Sequence, residues 1–375
     1  MKVLLLAGEE SGLLYADRLK QALAGCEFRT YQDLYKTSDL AVMGFWPVIK
    51  RIFFFLGVQR TMRRTIREWR PDAVVTIDYP GLNLKLAAYA KSRGIPAIHI
   101  VCPQVWAWHQ NRIPKVAAAV NRLLCFFPFE PALFKDYEGK DFHAAFIGHP
   151  MVDVFKEEQA CPNTQSRPIV AMLPGSRIGE IQRILPRLLG ALHLIPHGVE
   201  VVVPAANDGA FAEITRQLKA FPPPDSCKVD VVRGGARAVL RRADCAAVAS
   251  GTATLEAALA RCPTVLVYAV SPLLAWFARR VITGVRHIGL ANVIAEKSGV
   301  EPPMPELLQE AFTPGAVAAQ LSSWLDDADA RRRAADALDA VMARLHSDGD
   351  ALAVAAREIT AACSGARPDA TAPTR

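Results

Sequence analysis

The chain has 375 residues, 51% of them hydrophobic and 22% charged, with a formal net charge of +7, a pI near 9.0 and a mean hydropathy of +0.15. That length accommodates two domains with a core each, and the basic balance favours an anionic partner: phosphorylated substrate, acidic lipid or nucleic acid. No run of 18 or more uncharged apolar residues occurs, which argues against a spanning helix; the eight scattered cysteines, without a C-x-x-C pair, fit a reducing cytoplasm rather than a disulfide frame or a zinc site.

The N-terminal run MKVLLLAGEESG reads as a buried first strand, residues 3–7, entering a glycine-rich turn. It lacks the small-residue cleavage site of a signal peptide. Gly8 and Gly12 would let a ligand approach the backbone, with Glu9 and Ser11 between them at the strand's carboxyl end. Residues 40–58 are charged only at Lys50 and Arg51, and Arg60, Arg63, Arg64 and Arg67 follow at one-face helical spacing. Pro47 and the charged pair argue against spanning. The triplet Phe53, Phe54 and Phe55 beside a basic face suits shallow insertion into an anionic membrane surface; the competing reading is a buried helix followed by a solvated one.

A strand over 73–77 ends at IDYPGLN. Asp78 is placed there for general-base work, or for capping the helix that Pro80 opens. A strand over 97–101 ends at VCPQVWAW, whose Trp106 and Trp108 either line a sugar or acyl site or pack in a loop. His99, inside AIHIV, reads as a core histidine. Strands over 123–126 and 142–147 follow, the latter closed by Gly148, His149 and Pro150. The polar, proline-containing segment 156–168 is the expected linker.

A second series of strands covers 169–173, 199–203, 229–232, 245–249 and 264–268. Strands alternating with helical patterns imply parallel sheets covered on both faces. The expected fold class is therefore α/β, two Rossmann-like domains facing a cleft. They span 1–155 and 168–345, followed by a helix over 346–363 and a disordered tail over 364–375. Ligands in such sheets bind at the carboxyl ends of the strands.

Two motifs fall there in the second domain. In LPGSR, Gly175 permits a tight turn, and Ser176 and Arg177 can clamp a diphosphate; the alternative is a surface turn. In SGTATLE, a helix N-terminus carrying Ser250, Gly251, Thr252 and Thr254 offers amides and hydroxyls to an anion. Glu256, one turn on, can accept from two ribose hydroxyls; the alternative is an ordinary capped helix. Neither G-x-G-x-x-G nor G-x-x-x-x-G-K-[ST] occurs, so a dinucleotide dehydrogenase or a P-loop NTPase lacks its phosphate loop. Residues 273–288, with Trp276, Phe277, Arg279, Arg280 and Arg286, form a second aromatic and basic patch. Asp327-Ala328-Asp329 reads as a solvated helix face rather than a metal motif.

Together AGEESG, IDYPGLN, VWAW, FPFE (ending at Glu130), IGHP, LPGSR, SGTATLE, and LAN followed by PELLQ resemble the lipid-A-disaccharide synthases, over residues 2–312. The resemblance implies an inverting transferase of the GT-B fold that needs no metal or cofactor. Its substrates would be UDP-2,3-diacylglucosamine and 2,3-diacylglucosamine 1-phosphate, joined as a β-1,6-linked disaccharide with loss of UDP. The implied partner surface is an anionic membrane, met peripherally from the cytoplasmic side of the inner membrane, with no nucleic acid involved. Substrate contacts would come from Ser11, Gly12, Asn83, Trp106, Trp108, Asn292 and Gln309, beside the residues of LPGSR and SGTATLE. Two positions depart from the family: Leu13 stands where an Asp is common, and Gly81 where well-known members carry a second acid proposed as base. The base is therefore assigned to Asp78, with Glu9 second. These losses motivate the competing reading of a non-catalytic UDP-sugar or lipid-binding protein; another UDP-sugar transferase or an epimerase would share the fold.

Overall fold

The computed structural model describes residues 1–8, 10–36, 52–157, 167–196, 198–271, 275–276, 280 and 284–364. Its contacts divide the chain into two units, Met1–Asp153 with the segment from Leu345 onward, and Val154–Arg344.

The first unit holds β1 (Lys2–Ala7), β2 (Glu27–Thr30), β3 (Ala73–Ile77), β4 (Ala97–Ile100), β5 (Arg122–Cys125) and β6 (His143–Phe146). They form one parallel sheet in the order β2-β1-β3-β4-β5-β6. Every residue of β3, β4 and β5 is buried, as parallel strands covered on both faces require. On one face Leu4, Leu6, Val74 and Leu123 pack with Met62 and Ile66 of the helix Ile52–Trp69 and Leu86 of the helix Pro80–Lys91. On the other, Val3, Leu5, Val75 and Ile98 pack with Leu19 of the helix Glu10–Ala22 and with Ala355 and Ile359 of the last helix, Ala351–Ser364. The helix Ala351–Ser364 thus completes the first unit. Ser347 Oγ donates to the Ile147 carbonyl at 2.8 Å. Gly148 has φ +84, and a Cβ there would lie 2.5 Å from Ser347 Oγ, which accounts for the glycine of IGHP.

The second unit holds β7 (Ile169–Leu173), β8 (Glu200–Ala205), β9 (Lys228–Arg233), β10 (Cys245–Ala249), β11 (Thr264–Tyr268) and β12 (Glu306–Leu308). Their order, β12-β11-β10-β7-β8-β9, is the doubly wound Rossmann arrangement, parallel throughout. Ile181, Ile184, Leu185 and Leu188 of the helix Ile178–Leu192 and Val317, Leu321 and Trp324 of the helix Pro314–Asp326 belong to the core around this sheet.

Ten of the twelve strands among the described residues lie where the sequence patterns put them, within a residue or two. The exceptions are β2 and β12, short strands on sheet edges. Of the expected linker, Lys156 and Glu157 end the helix Pro150–Glu157, and 158–166 lie outside the described residues. Ser364 closes the last helix, and the rest of the expected tail lies outside them too.

Candidate active site

Strand order says where to look. In the second sheet the chain winds outward in both directions from the β7–β10 pair, and a ligand crevice opens at the carboxyl ends of such a pair. The turns after β7 and β10 are LPGSR and SGTATLE. They meet in one pocket of about 330 Å³, lined by Gly175, Ser176, Arg177, Glu180, Ser250, Gly251, Thr252 and Glu256, with Ala205 ending β8, Ala206 next to it and Gly234 after β9.

Each turn is shaped by its sequence. Gly175 has φ +108, a backbone that favours glycine, and a Cβ on it would also crowd Glu180 Cβ at 3.1 Å. Arg177 precedes the helix Ile178–Leu192. Its guanidinium donates to Glu180 Oε1 at 2.9 Å and stays 64% exposed, a cation held at the pocket's rim. Thr252 opens the helix Thr252–Leu259; Thr254 N donates to the Gly251 carbonyl at 3.1 Å, while the Thr252 and Ala253 amides before it have no intrahelical acceptor and carry the positive dipole end. Thr254 is fully buried and its hydroxyl donates to the Gly251 carbonyl at 2.8 Å; it shapes the turn and does not line the pocket. Glu256 is half-buried in the wall.

Two other expected contacts sit apart. Asn292 is fully buried, its amide spent on Met304 N and O and on Glu306 Oε1 at 2.7–2.9 Å. It fastens the helix Leu290–Lys297 to the strand entrance at β12. Gln309, at φ +53 just past β12, accepts from Val270 N at 3.4 Å.

In the first sheet the winding reverses between β1 and β3, so the turns after those strands are the corresponding place. Glu9 lies outside the described residues, and so does the side chain of Ser11. Gly12 packs close to the strands, where a Cβ would lie 3.5 Å from that of Ala7. Asp78 and Tyr79 are both left-handed, at φ 49 and 53, a conformation that costs non-glycine residues energy and gathers at functional sites. Asn83 holds them. Fully buried, it donates to the carbonyls of Leu6, Ile77 and Asp78 at 3.2, 3.1 and 2.8 Å and accepts from Tyr31 Oη at 2.8 Å. Asn83 therefore joins the ends of β1 and β3 instead of presenting its amide to a ligand. The helix Pro80–Lys91 takes Tyr79, not Asp78, as its N-cap. Asp78 Oδ1 accepts from the adjacent Tyr79 N–H at 2.8 Å, and burial raises its carboxyl above the usual range, partly offset by that bond.

The next strand ends carry the aromatics. Trp106 is buried and donates from Nε1 to Glu130 Oε1 at 3.0 Å, so it is a pillar under the loop. Trp108 is 39% exposed. His149 is buried against Phe126 and Phe127, and burial takes its imidazole down to about 4, neutral at pH 7. Glu180 and Glu130 are not among the site residues that the sequence motifs single out. An acid three residues after Arg177 was one available signal, and a lone acid within the aromatic FPFE another.

On the outer face of the first unit, Phe53 is 84% exposed and Leu56 exposed, at the start of the helix Ile52–Trp69. Phe54 and Phe55 turn inward, linking Tyr35 to Tyr79 by ring contacts of 5.4 to 6.3 Å. Arg60, Arg63, Arg64 and Arg67 are exposed. In the second patch, Phe277 and Arg279 lie outside the described residues. Trp276 is exposed, with the Arg280 guanidinium 4.0 Å from its ring centroid. No described helix is long and apolar enough to cross a membrane.

Known structures with this arrangement include MurG of Acinetobacter baumannii, at TM-score 0.56 and 17% identity, covering 96% of this chain and 99% of that one. A UDP complex of S. aureus MnaA is similar at TM-score 0.65 and 10% identity, covering 96% of both chains. The class is thus the GT-B fold of glycosyltransferases. The profile described as lipid-A-disaccharide synthetase matches residues 4–359, and the lipid-A-disaccharide synthase of Syntrophus aciditrophicus is 33% identical over 382 residues, covering 96% of this chain and 97% of that protein. This chain belongs to the lipid-A-disaccharide synthase family. It is a glycosyltransferase of lipid A, and hence lipopolysaccharide, synthesis, and the alternative of a non-catalytic or other-substrate binding protein is not favoured.

Proposed function

We propose that the pocket after β7 and β10 holds the UDP of UDP-2,3-diacylglucosamine and that the sugar passes to the 6-hydroxyl of 2,3-diacylglucosamine 1-phosphate at an anionic membrane surface. The observation that carries this reading is the meeting of LPGSR and SGTATLE in one pocket. Glu256 accepts from the ribose hydroxyls. The amides at Thr252 and the Arg177 guanidinium face the diphosphate. In the reaction the acceptor O6 bonds to the anomeric carbon from the face opposite UDP, the bond from that carbon to the β-phosphate oxygen breaks, and the O6 proton passes to the Asp78 carboxylate. Charge grows on the leaving phosphate, where a fixed cation and a helix N-terminus lower the barrier most. A carboxyl raised by burial suits the base, because it holds the transferred proton more tightly than an ordinary Asp.

Attachment to the cytoplasmic face of the inner membrane is assigned to the helix Ile52–Trp69. Its exposed Phe53 and Leu56 and its four arginines support this reading. The ring ladder from Phe54 to Tyr79 connects that helix to the Asp78 turn, a path along which an acylated sugar keeps its chains in apolar surroundings. The stereochemistry provides the test. Proton NMR of the product should show a large anomeric coupling, the mark of a β linkage formed by inversion from an α-linked donor. A small coupling, of an α product, would overturn the in-line displacement with Asp78 as base.

A further inference from the structure

Glu130 has no part in the chemistry just described, yet it is among the most enclosed acids of the first unit. It is 1% exposed. One carboxyl oxygen accepts from Trp106 Nε1 at 3.0 Å and the other from Phe127 N at 3.1 Å. These two donors belong to different loops, after β4 and after β5. The carboxyl is therefore a clamp between neighbouring loops at the carboxyl end of the sheet, where Asp78 also lies.

What the clamp orders is an aromatic surface. Phe127 and Phe129 stack in parallel, centroids 5.7 Å apart with 1° between planes. Trp106 stands edge-on against both, at 6.3 and 5.7 Å and 89°. Trp106 is buried, while Phe127 and Phe129 stay half-exposed and Trp108 exposed. A buried tryptophan thus sets the tilt of rings that face outward. The same loops are tied to the Asp78 turn. Asp78 N donates to the Ile100 carbonyl at 2.9 Å, and Val101 N to the Leu124 carbonyl at 3.0 Å. Val101 has φ +76, costly for a β-branched residue and sustained only by a rigid surround.

We propose that Glu130 is a positioning residue for the acylated acceptor: through Trp106 it holds Phe127 and Phe129 as the surface on which that substrate lies beside Asp78. A stabilising core would be better served by an apolar side chain, since a buried carboxyl carries a desolvation cost. Glutamate is suited to the task because both its oxygens accept in either protonation state: in the protonated form that burial favours, the hydroxyl oxygen still has a lone pair for one N–H. Glutamine offers an acceptor and a donor, and its NH₂ would oppose one of the two N–H groups. The surroundings are neutral. Cys102 and Cys125 lie within 4.8 Å, burial among the causes raises both thiols, and burial pushes Glu130 up to about 8.

The inference rests on the acceptor binding at the first unit, as proposed above. The test is steady-state kinetics of the full-length wild type, Glu130→Gln, Trp106→Phe and the double variant, with UDP affinity and Tm measured on the same samples. Each single variant should raise the acceptor KM by roughly tenfold or more, as the loss of binding shared by the ground and transition states does, with kcat and UDP affinity near wild type. The double variant should be little worse than either single, because both break one contact. A lowered Tm with unchanged acceptor KM, or additive effects in the double variant, would overturn the positioning role. If Glu130→Gln does not fold, Trp106→Phe decides alone: a raised acceptor KM supports the role and an unchanged one overturns it. A wild type that releases no UDP would overturn the reaction, and this inference with it; an active wild type confines a failure to Glu130.

Discussion

Asp78 joins backbone strain, burial and an exposed task in one residue. Asp78→Asn keeps the acceptor for Tyr79 N–H but cannot take a proton, so kcat should fall by about 10²–10⁴-fold while UDP affinity holds. Stability should move the other way. Burial raises the folded-state carboxyl above its unfolded value, so its ionisation weakens the fold as pH rises from the unfolded value through the folded one. At neutral pH the Asn variant should therefore match or exceed wild-type stability, and lose that advantage on acidification; urea midpoints at pH 7 and pH 4 check it. For the same reason the acid limb of the wild-type rate profile should fall above the ordinary aspartate value of about 3.9. In the other unit, Glu256→Ala should weaken UDP binding by roughly 10- to 150-fold, the loss of a charged hydrogen bond worth about 1.5–3 kcal/mol. Arg177→Ala should lower turnover. Calorimetry and initial rates read these two effects. At this scale the sequence places residues after strands well: Arg177, Ser250 and Glu256 share a pocket. It misleads for buried polar residues. Asn83 spends its amide on Tyr31 and on the strand end at Leu6, and Trp106 its indole on Glu130, partners 24 to 77 residues away that no local pattern connects.

The helix Ile52–Trp69 bears the membrane prediction. Phe53 is the sensitive probe because it is exposed, whereas Phe54 and Phe55 pack onto Tyr35 and Tyr79. Phe53→Ser should weaken flotation with anionic liposomes and leave Tm unchanged; Phe54→Ser/Phe55→Ser should lower both. Arg63→Glu/Arg64→Glu should weaken flotation most at low salt, each basic residue contributing on the order of 1 kcal/mol. Arg64 pairs with Glu68 at 2.7 Å, but both are exposed, and such pairs contribute little. Equal binding by all four proteins would remove this helix from the membrane contact. The elements that pattern reading missed share a cause. β2 is four residues with half its side chains turned toward solvent, and β12 is three half-buried residues. Edge strands need cover on only part of their surface, so they lack the apolar run that marks a central parallel strand.

At the scale of the molecule, the chain returns to its beginning. The helix Ala351–Ser364 lays Leu352, Ala355, Ala356 and Ile359 into buried positions, with Ile359 in the core under β1 and β3. Ile359→Ala should cost about 2–5 kcal/mol and lower the first unit's Tm, with UDP affinity unaltered because its pocket belongs to the other unit. An alanine-rich amphipathic helix in sequence says that it will pack, not against what. Leu13 and Gly81 set this chain apart from its family at two positions, so the complete transfer is the sharpest thing to measure. The direct measurement is to incubate purified protein with UDP-2,3-diacylglucosamine and 2,3-diacylglucosamine 1-phosphate and follow UDP and lipid products together by mass spectrometry. UDP and the disaccharide 1-phosphate should appear in equal amounts, each dependent on the acceptor. UDP released without disaccharide, or no turnover of either substrate by folded protein, would contradict the transfer.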